Sequence, residues 1–240
     1  MNAVNNVMGF PLLSLITWLP MAGVLILLTI RGDEKTVATN ARWTALWTSL
    51  IVMVISLIIW VRFDRADAGF QFVEDVPWLA HYKVGYKMGV DGISVLFVLL
   101  STVLTPLCIL ASWESIQTKV REFMISFLIL ETMMVGMFCA LDFVVFYMFF
   151  EAVLIPMYLI IGIWGGPRRV YAAVKFFLFT LTGSVLMLLA LLAMWLHAGT
   201  TDIPTLMHTS FPTGNQRGQR SKLAEGFVEV AAVAGHELVA

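Results

Sequence analysis

The stretch from Asp142 to Gly166 reads DFVVFYMFFEAVLIPMYLIIGIWGG. Its part from Phe143 to Trp164 is almost wholly apolar, and it is long enough to cross a bilayer core of about 30 Å as a helix that rises ~1.5 Å per residue. Glu151 is the only charged residue in that part. It lies about 12 Å along the helix axis from Phe143, well inside the hydrocarbon region. The stretch therefore predicts a membrane-spanning helix that carries one deeply placed carboxyl group.

A carboxyl group at this depth needs a partner, a water-filled cavity or a proton, because a charged side chain at mid-membrane costs about 2.5 to 3.5 kcal/mol on translocon scales. Pro156 follows Glu151 by five positions. It lacks an amide hydrogen and crowds the carbonyl of Ala152, so we expect the helix to kink or loosen beside Glu151. A titratable group next to an irregular backbone favours an ion pathway. The alternative is a structural glutamate that hydrogen-bonds to a neighbouring helix and never changes charge.

The composition of the whole chain is that of an integral membrane protein. Its 240 residues are 60% hydrophobic and 13% charged, and the mean hydropathy is +0.87, which excludes an ordinary soluble domain. The net charge of −1 argues against nucleic-acid binding, which requires a basic face. Cys108 and Cys139 fall inside apolar runs, and no metal-ligand spacing or CxxC motif is present. We therefore expect neither a metal nor a redox centre.

The hydropathy pattern predicts an all-α bundle of about six membrane-spanning helices. Prolines recur within these runs, at Pro20, Pro106 and Pro156, which membrane helices tolerate when they are packed against neighbours. The predicted spans are Leu12–Ile30, Trp43–Val61, Ile93–Ala111, Phe123–Leu141, Phe143–Trp164 and Val170–Leu196.

The connection between the second and third spans, residues 62–92, alternates apolar and polar residues with glycines between them. This pattern fits a short hairpin lying on one face of the bundle. An ordinary covering loop is the alternative.

Basic residues are distributed unevenly over the connections between spans. Seven of them share one side, whereas the longer connection on the other side has four that are spread out. The positive-inside rule therefore places the seven in the cytoplasm or matrix and the N-terminus outside. The seven are Arg31, Lys35, Arg42, Lys119, Arg121, Arg168 and Arg169.

Four more polar residues lie in or beside the spans. Glu131, midway along the fourth span, either faces the same interior as Glu151 or bonds to a neighbouring Ser or Thr. Asp142 precedes the fifth helix, where we expect it to cap that helix. Lys175, near the start of the sixth span, either extends outward to the interface or turns inward toward Glu151. Glu114 lies just past the third span, where a charge costs little.

The chain becomes polar beyond Leu196. The segment from Asn215 to Ala240 contains no apolar run long enough to span a membrane. We expect residues 1–214 to form one membrane domain. Residues 215–240 are expected to be a divergent tail, poorly structured or artefactual.

Several motifs together resemble one family. The stretch from Asp142 to Gly166 is followed by RRVYAAVKFFLFTLTGS and AGTTDIPTL, and it is preceded by VGYKMGVDGISVLFVLLSTVLTPLCILASW. In combination they resemble the chain M (mitochondrial chain 4) family of proton-translocating NADH:quinone oxidoreductase, respiratory complex I. The short motifs FFE and IPM alone would also suit the related subunits of Mrp-type cation/proton antiporters.

The resemblance implies a membrane-arm subunit that takes part in proton translocation coupled to electron transfer. It implies that Glu151 is the buried protonatable relay residue, and it gives roles to Lys175 and Glu114; it gives none to Glu131. The implied partners are other membrane-arm subunits and the lipid bilayer. The implied location is the inner (cytoplasmic) membrane of a bacterium or the mitochondrial inner membrane. The chain shows no dinucleotide motif or cysteine cluster, so we expect it to hold no cofactor and to perform no redox chemistry itself.

The resemblance also implies a longer protein built from inverted repeats, whose later helices carry lysines that pair with the glutamate of the fifth helix. We read the resemblance as far as Gly214, so we expect a truncated or incomplete form that lacks the lysine partner of Glu151. Two alternatives remain open at this point: a subunit of an Mrp-type antiporter, and a structural or assembly membrane protein that transports nothing.

Overall fold

The computed structural model describes residues 11–67, 69–79 and 84–211. Within them the chain forms six long helices, one two-stranded hairpin and one short helix. All six long helices are long and apolar enough to cross a membrane, so the predicted all-α membrane bundle is confirmed. The predicted tail, residues 215–240, lies outside the described residues. The elements are α1 Leu12–Thr29, α2 Glu34–Arg62, β1 Gln71–Leu79, β2 Val84–Val90, α3 Ser94–Ser115, α4 Val120–Cys139, α5 Phe143–Trp164, α6 Arg169–Ala198 and α7 Ile203–Met207.

The second and third helices extend several residues past an end of the apolar runs that predicted them. The second helix begins at Glu34 rather than Trp43, because Asp33 accepts hydrogen bonds from the backbone N–H of Thr36 at 3.3 Å and from its hydroxyl at 2.7 Å. Such a cap satisfies free N–H groups in the first turn. The third helix continues to Ser115 rather than ending at Ala111. Hydropathy therefore marks the part of each helix suited to lipid, whereas helical hydrogen bonding continues into polar sequence.

Helix α4 is the centre of the bundle. It packs against α1, α2, α3 and α5, and half of its most apolar window is buried, compared with 6% for α6. Helix α6 packs chiefly against α5. One broad face of α6 therefore stays open, and α6 forms the edge of the bundle.

The hairpin predicted between the second and third helices is present, with β1 and β2 antiparallel. The α4–α5 turn extends this sheet, because the N–H of Leu141 donates to the carbonyl of Lys87 at 2.8 Å. On its other side the turn pairs with the segment after α6: Phe143 donates to Thr201 at 3.0 Å, and Ile203 donates to Leu141 at 2.9 Å. We call this end of the bundle the hairpin end; the seven basic residues lie toward the other.

Glu74 fastens the hairpin to the first helix. Its carboxyl group is buried and accepts hydrogen bonds from the backbone N–H groups of Leu13 at 2.8 Å and Ser14 at 3.0 Å, and from the Ser14 hydroxyl. A negative charge beside the first turn of a helix also complements the helix dipole. A residue of β1 thus supplies the N-terminal cap of α1.

We expect Glu74→Ala to lower the free energy of unfolding by about 1 to 3 kcal/mol, because it leaves buried N–H donors without an acceptor. Thermal unfolding of the purified protein in detergent, followed by circular dichroism, measures the effect. Asp75→Ala is the matched control, since Asp75 is the adjacent acid and is exposed. Equal melting temperatures for the two variants would contradict the assigned cap.

Candidate functional site

Asp142 fixes the start of α5, as predicted. Its side chain accepts hydrogen bonds from the backbone N–H groups of Val144 at 2.9 Å and Val145 at 3.4 Å. It also accepts from the N–H of Gly85 at 3.3 Å and from the hydroxyl of Thr201. One buried carboxyl group therefore joins α5, the hairpin and the segment after α6.

A second carboxyl group, that of Asp202, ties the segment after α6 to the hairpin. Asp202 lies 2.5 Å from the Lys87 ammonium group and accepts from the backbone N–H of Thr205 at 3.0 Å. Burial alone would raise the pKa of Asp202, but the hydrogen bonds from Lys87 and Thr205 hold it below its usual value. The depressed pKa means that the ion pair persists at neutral pH and is lost only as the pH falls through that low value.

Helices α4 and α5 approach closely where Gly136 faces Phe149. A Cβ atom at position 136 would lie 2.5 Å from the Phe149 ring. The same ring packs against Trp18 of α1, with 6.1 Å between the ring centroids. Phe149 therefore marks the side of α5 that faces α4 and α1. Glu151, two residues later, projects from the opposite side of the helix, since successive residues turn by about 100°.

Glu151 lies on the side of α5 that faces α6. It is half-buried, and its Oε1 atom is buried without a hydrogen-bond partner among the residues that the structure describes. Tyr147, one turn earlier, interacts through its side chain with both Glu151 and Ser184 of α6. Pro156 is buried within α5, which continues through it to Trp164. The result is a carboxyl group at mid-membrane depth, in a seam between two helices that also contains two hydroxyl groups.

Lys175 does not turn toward Glu151. It is exposed, and its ammonium group lies 5.8 Å from the centroid of the Tyr171 ring on the same helix. The residues of α6 that pack on α5 are on its other side, for example Phe177, which contacts Tyr158 at 5.7 Å between centroids. Along the helix axes Lys175 is also roughly 10 Å nearer than Glu151 to the α5–α6 turn. There it lines a cleft of about 670 Å³ together with Arg168 and Arg169.

Glu114 lies in the last turn of α3 with its side chain exposed. Its backbone carbonyl accepts a hydrogen bond from the Gln117 side chain at 2.7 Å. Helix α3 packs on α2 and α4. The three candidate residues thus lie apart: Glu151 in the middle of α5, Lys175 on the outer side of α6 and Glu114 at the end of α3.

Glu131 is the residue whose importance sequence reasoning underestimated. Its side chain is only 1% exposed. Neither carboxyl oxygen has a hydrogen-bond partner within residues 11–67, 69–79 and 84–211, so the bond to a neighbouring Ser or Thr, one of the two alternatives for this residue, is not formed there. The available signal was its position as an acid in the middle of an apolar run. Within the same residues, no group of three His, Cys, Asp or Glu side chains is placed to hold a metal ion.

Comparison with known proteins identifies the family. The family described as "NADH-ubiquinone oxidoreductase chain 4, amino terminus" matches residues 19–141, which is more than half of the chain. The chain belongs to this chain 4 family. A second family, "NADH:quinone oxidoreductase/Mrp antiporter, TM", matches residues 140–236 and includes all of α5. This match continues past Gly214, and the domain boundary expected there stays a prediction.

Two relatives of the chain 4 family show how much of a relative's length this chain covers. The chain is 54% identical over 202 residues to NADH-quinone oxidoreductase subunit M of Rhodobacter capsulatus, covering 84% of this chain and 39% of that protein. It is 44% identical over 198 residues to NADH-ubiquinone oxidoreductase chain 4 of Arabidopsis thaliana, covering 82% and 39%. The chain thus spans about two fifths of the length of these relatives.

Two solved structures share the fold. Respiratory complex I from Thermus thermophilus with bound NADH contains a chain that matches with a TM-score of 0.72 at 28% identity, over 84% of this chain and 40% of that one. The Mrp complex from Dietzia sp. DQ12-45-1b matches with a TM-score of 0.68 at 18% identity, over 82% and 21%. At that identity the second match concerns the fold alone.

We expect Gly136→Ala to destabilise the α4–α5 contact by about 1 to 3 kcal/mol, because the added methyl group overpacks against the Phe149 ring. Thermal unfolding in detergent measures the loss. The double variant with Phe149→Leu, which removes the ring, should recover part of it as a coupling between the two sites. Purely additive effects would show that the two residues do not meet in this way.

Proposed function

We propose that this chain is part of a membrane-arm subunit of NADH:quinone oxidoreductase and takes part in proton translocation coupled to electron transfer. The observation that carries the proposal is the position of Glu151. It is an acid at mid-membrane depth with an unpartnered buried oxygen, in a chain whose relatives are subunits named for this enzyme.

In this proposal Glu151 binds a proton and releases it when the electrostatic field around it changes. A carboxyl group in an apolar seam responds strongly to nearby charge, because the low dielectric constant screens that charge little. The hydroxyl of Tyr147 can donate a hydrogen bond to the carboxylate form, and the Tyr147 side chain also interacts with Ser184. The redox chemistry belongs to other parts of the enzyme, and this chain would respond to it through charge.

Lys175 and Glu114 take supporting roles near the end of the bundle opposite the hairpin. Lys175, with Arg168 and Arg169 in the same cleft, creates a positive potential that lowers the cost of an ionised carboxyl group deeper in the membrane. Glu114 is exposed and can exchange protons with the aqueous phase. The family resemblance supports both assignments. It also implies that lysines on later helices of the family are the partners of Glu151.

The partners in this proposal are the other membrane-arm subunits and the lipid bilayer. The location is the inner membrane of a bacterium or a mitochondrion. The seven basic residues at the end opposite the hairpin favour an orientation with that end in the cytoplasm or matrix and the N-terminus of α1 outside.

The decisive experiment replaces Glu151 by Gln in the complete enzyme. A positioned proton-transfer group contributes about 10²- to 10⁴-fold, so we expect NADH-driven proton transport in membrane vesicles to fall by at least about tenfold. Electron transfer from NADH to an artificial acceptor should stay unchanged. Glu122→Gln is the matched control, because Glu122 is exposed in the first turn of α4.

The same measurements separate the alternatives. Normal transport with a smaller amount of assembled complex on native gels would replace the proposal by a structural role. Sodium-dependent transport without any electron transfer would favour an Mrp-type antiporter, a candidate supported by the match of residues 140–236 to the family described as "NADH:quinone oxidoreductase/Mrp antiporter, TM".

A further inference from the structure

A second acid is more completely enclosed by the bundle than Glu151 is. Glu131 is on α4, about 12 Å along the helix axis from its end at Cys139, and it is fully enclosed, with 1% of its side chain exposed. No described residue donates a hydrogen bond to either carboxyl oxygen. An ionised carboxylate without donors or a counter-charge is strongly disfavoured in an apolar interior compared with the neutral acid. Glu131 therefore carries a proton in this arrangement.

The neighbours of Glu131 along α4 show which way it faces. Phe138, seven residues later and on the same side of the helix, stacks on Phe97 of α3 with 5.2 Å between centroids. Leu128, three residues earlier, packs against Gly23 of α1: a Cβ atom added to Gly23 would lie 3.0 Å from the Leu128 side chain. Glu131 therefore faces the interior between α1, α2 and α3.

The contact with α5 is on another side of α4. Gly136 meets the Phe149 ring, and a residue five positions from Glu131 is rotated by about 140°. Glu151 projects from α5 toward α6, away from α4. The two acids lie at the same depth, each about 12 Å along its helix from the tight α4–α5 turn, yet α4 separates them. The first of the two orientations considered for Glu131, toward the interior of Glu151, is therefore not the one observed.

In the arrangement described here, no charged residue of the surrounding helices lies beside Glu131. Helix α1 has no charged residue between Leu12 and Thr29, and Cys108, a titratable residue of α3, is exposed. The remaining charged or titratable groups of α2, α3 and α4 lie at or beyond the ends of the apolar runs, and those of α5 lie on the far side of α4 or toward its end. They are Glu34, Lys35, Arg42, Arg62, Glu114, Arg121, Glu122, Cys139, Tyr147, Glu151 and Tyr158.

Hydroxyl groups replace charges in this interior. Ser56 of α2 and Thr102 of α3 are buried, and their oxygens are 2.6 Å apart. Thr102 lies about 12 Å along α3 from the hairpin end, as Glu131 does along α4. Ser49, Ser101 and Thr105 are buried on the same two helices. Each of these hydroxyl groups is hydrogen-bonded to a backbone carbonyl of its own helix. Hydroxyl groups both donate and accept hydrogen bonds, so one that rotates away from its carbonyl can pass a proton to and from an acid.

We propose that Glu131 is a second proton-binding site, which gives up and regains its proton during the transport cycle on the side of α4 away from Glu151. The step is deprotonation of the carboxylic acid and its reversal, with the proton exchanged with water through the hydroxyl groups of α2 and α3; no electron is transferred. The inference rests on the proposed function, because it assigns Glu131 to the same transport.

The test uses the complete enzyme in proteoliposomes, with Glu131→Gln. Glutamine keeps the shape of the side chain but cannot exchange a proton. Infrared difference spectra between the resting and turning-over enzyme should contain a carboxylic acid C=O band that this variant loses. Proton transport should fall by about tenfold, whereas electron transfer from NADH to an artificial acceptor should not change. Glu122→Gln, the exposed acid on the same helix, should keep both the band and the transport.

Glu131→Asp serves where Glu131→Gln fails to assemble. Aspartate retains an exchangeable proton, so we expect the C=O band to shift and partial transport to return. A wild-type difference spectrum without a band that depends on Glu131 would overturn the inference, as would normal transport by Glu131→Gln. If Glu151→Gln abolishes transport and Glu131→Gln does not, the proposed function stands and this inference fails. If neither variant affects transport, both fail.

Discussion

The junction at Asp142, which joins α5, the hairpin and the segment after α6, is the contact on which the arrangement of the helices depends. The α4–α5 turn lies as an extended segment between β2 and residues 201–203, and Asp142 accepts hydrogen bonds from α5, from Gly85 and from Thr201. Because these hydrogen bonds fix the α4–α5 turn, α4 and α5 keep a fixed register relative to each other along their axes. That register holds Glu151 and Glu131 at equal depth on neighbouring antiparallel helices.

The helices could be predicted because a single requirement dominates the sequence. In a bilayer, apolar runs of about 20 residues must be helical, so Phe143–Trp164 was located to the residue. The start of α2 was missed because Glu34 to Arg42 is polar sequence. Its helix depends on the Asp33 cap, a local hydrogen bond that hydropathy does not register. The hairpin was foreseen from alternation, but its attachment to α1 through Glu74 joins residues 60 or more positions apart.

The site could be predicted only as a set of residue types and depths. The position of Glu151 in the sequence gives its height in the membrane. That it faces α6 follows only from the packing of α5, because Phe149, on the opposite side of that helix, contacts Gly136 of α4. Lys175 had two possible directions, and its outward one follows from the packing of Phe177 against Tyr158. Whether a side chain points into the bundle depends on which helices are neighbours. Every helix here has an apolar surface, so the sequence alone does not specify which helices pack together.

Glu74, Asp142, Glu131 and Glu151 have the same carboxyl chemistry but different surroundings. Glu74 and Asp142 each accept several hydrogen bonds from backbone N–H groups, so their negative charge is compensated and removing it would break the structure. Glu151 and Glu131 have buried oxygens with no donor among the described residues. Within the described residues no hydrogen bond holds the Glu131 side chain, and Glu151 has a side-chain hydrogen bond only with Tyr147. In this interior the number of donors around a carboxyl group thus separates the acids that fasten helices together from the two that we propose as proton-binding sites.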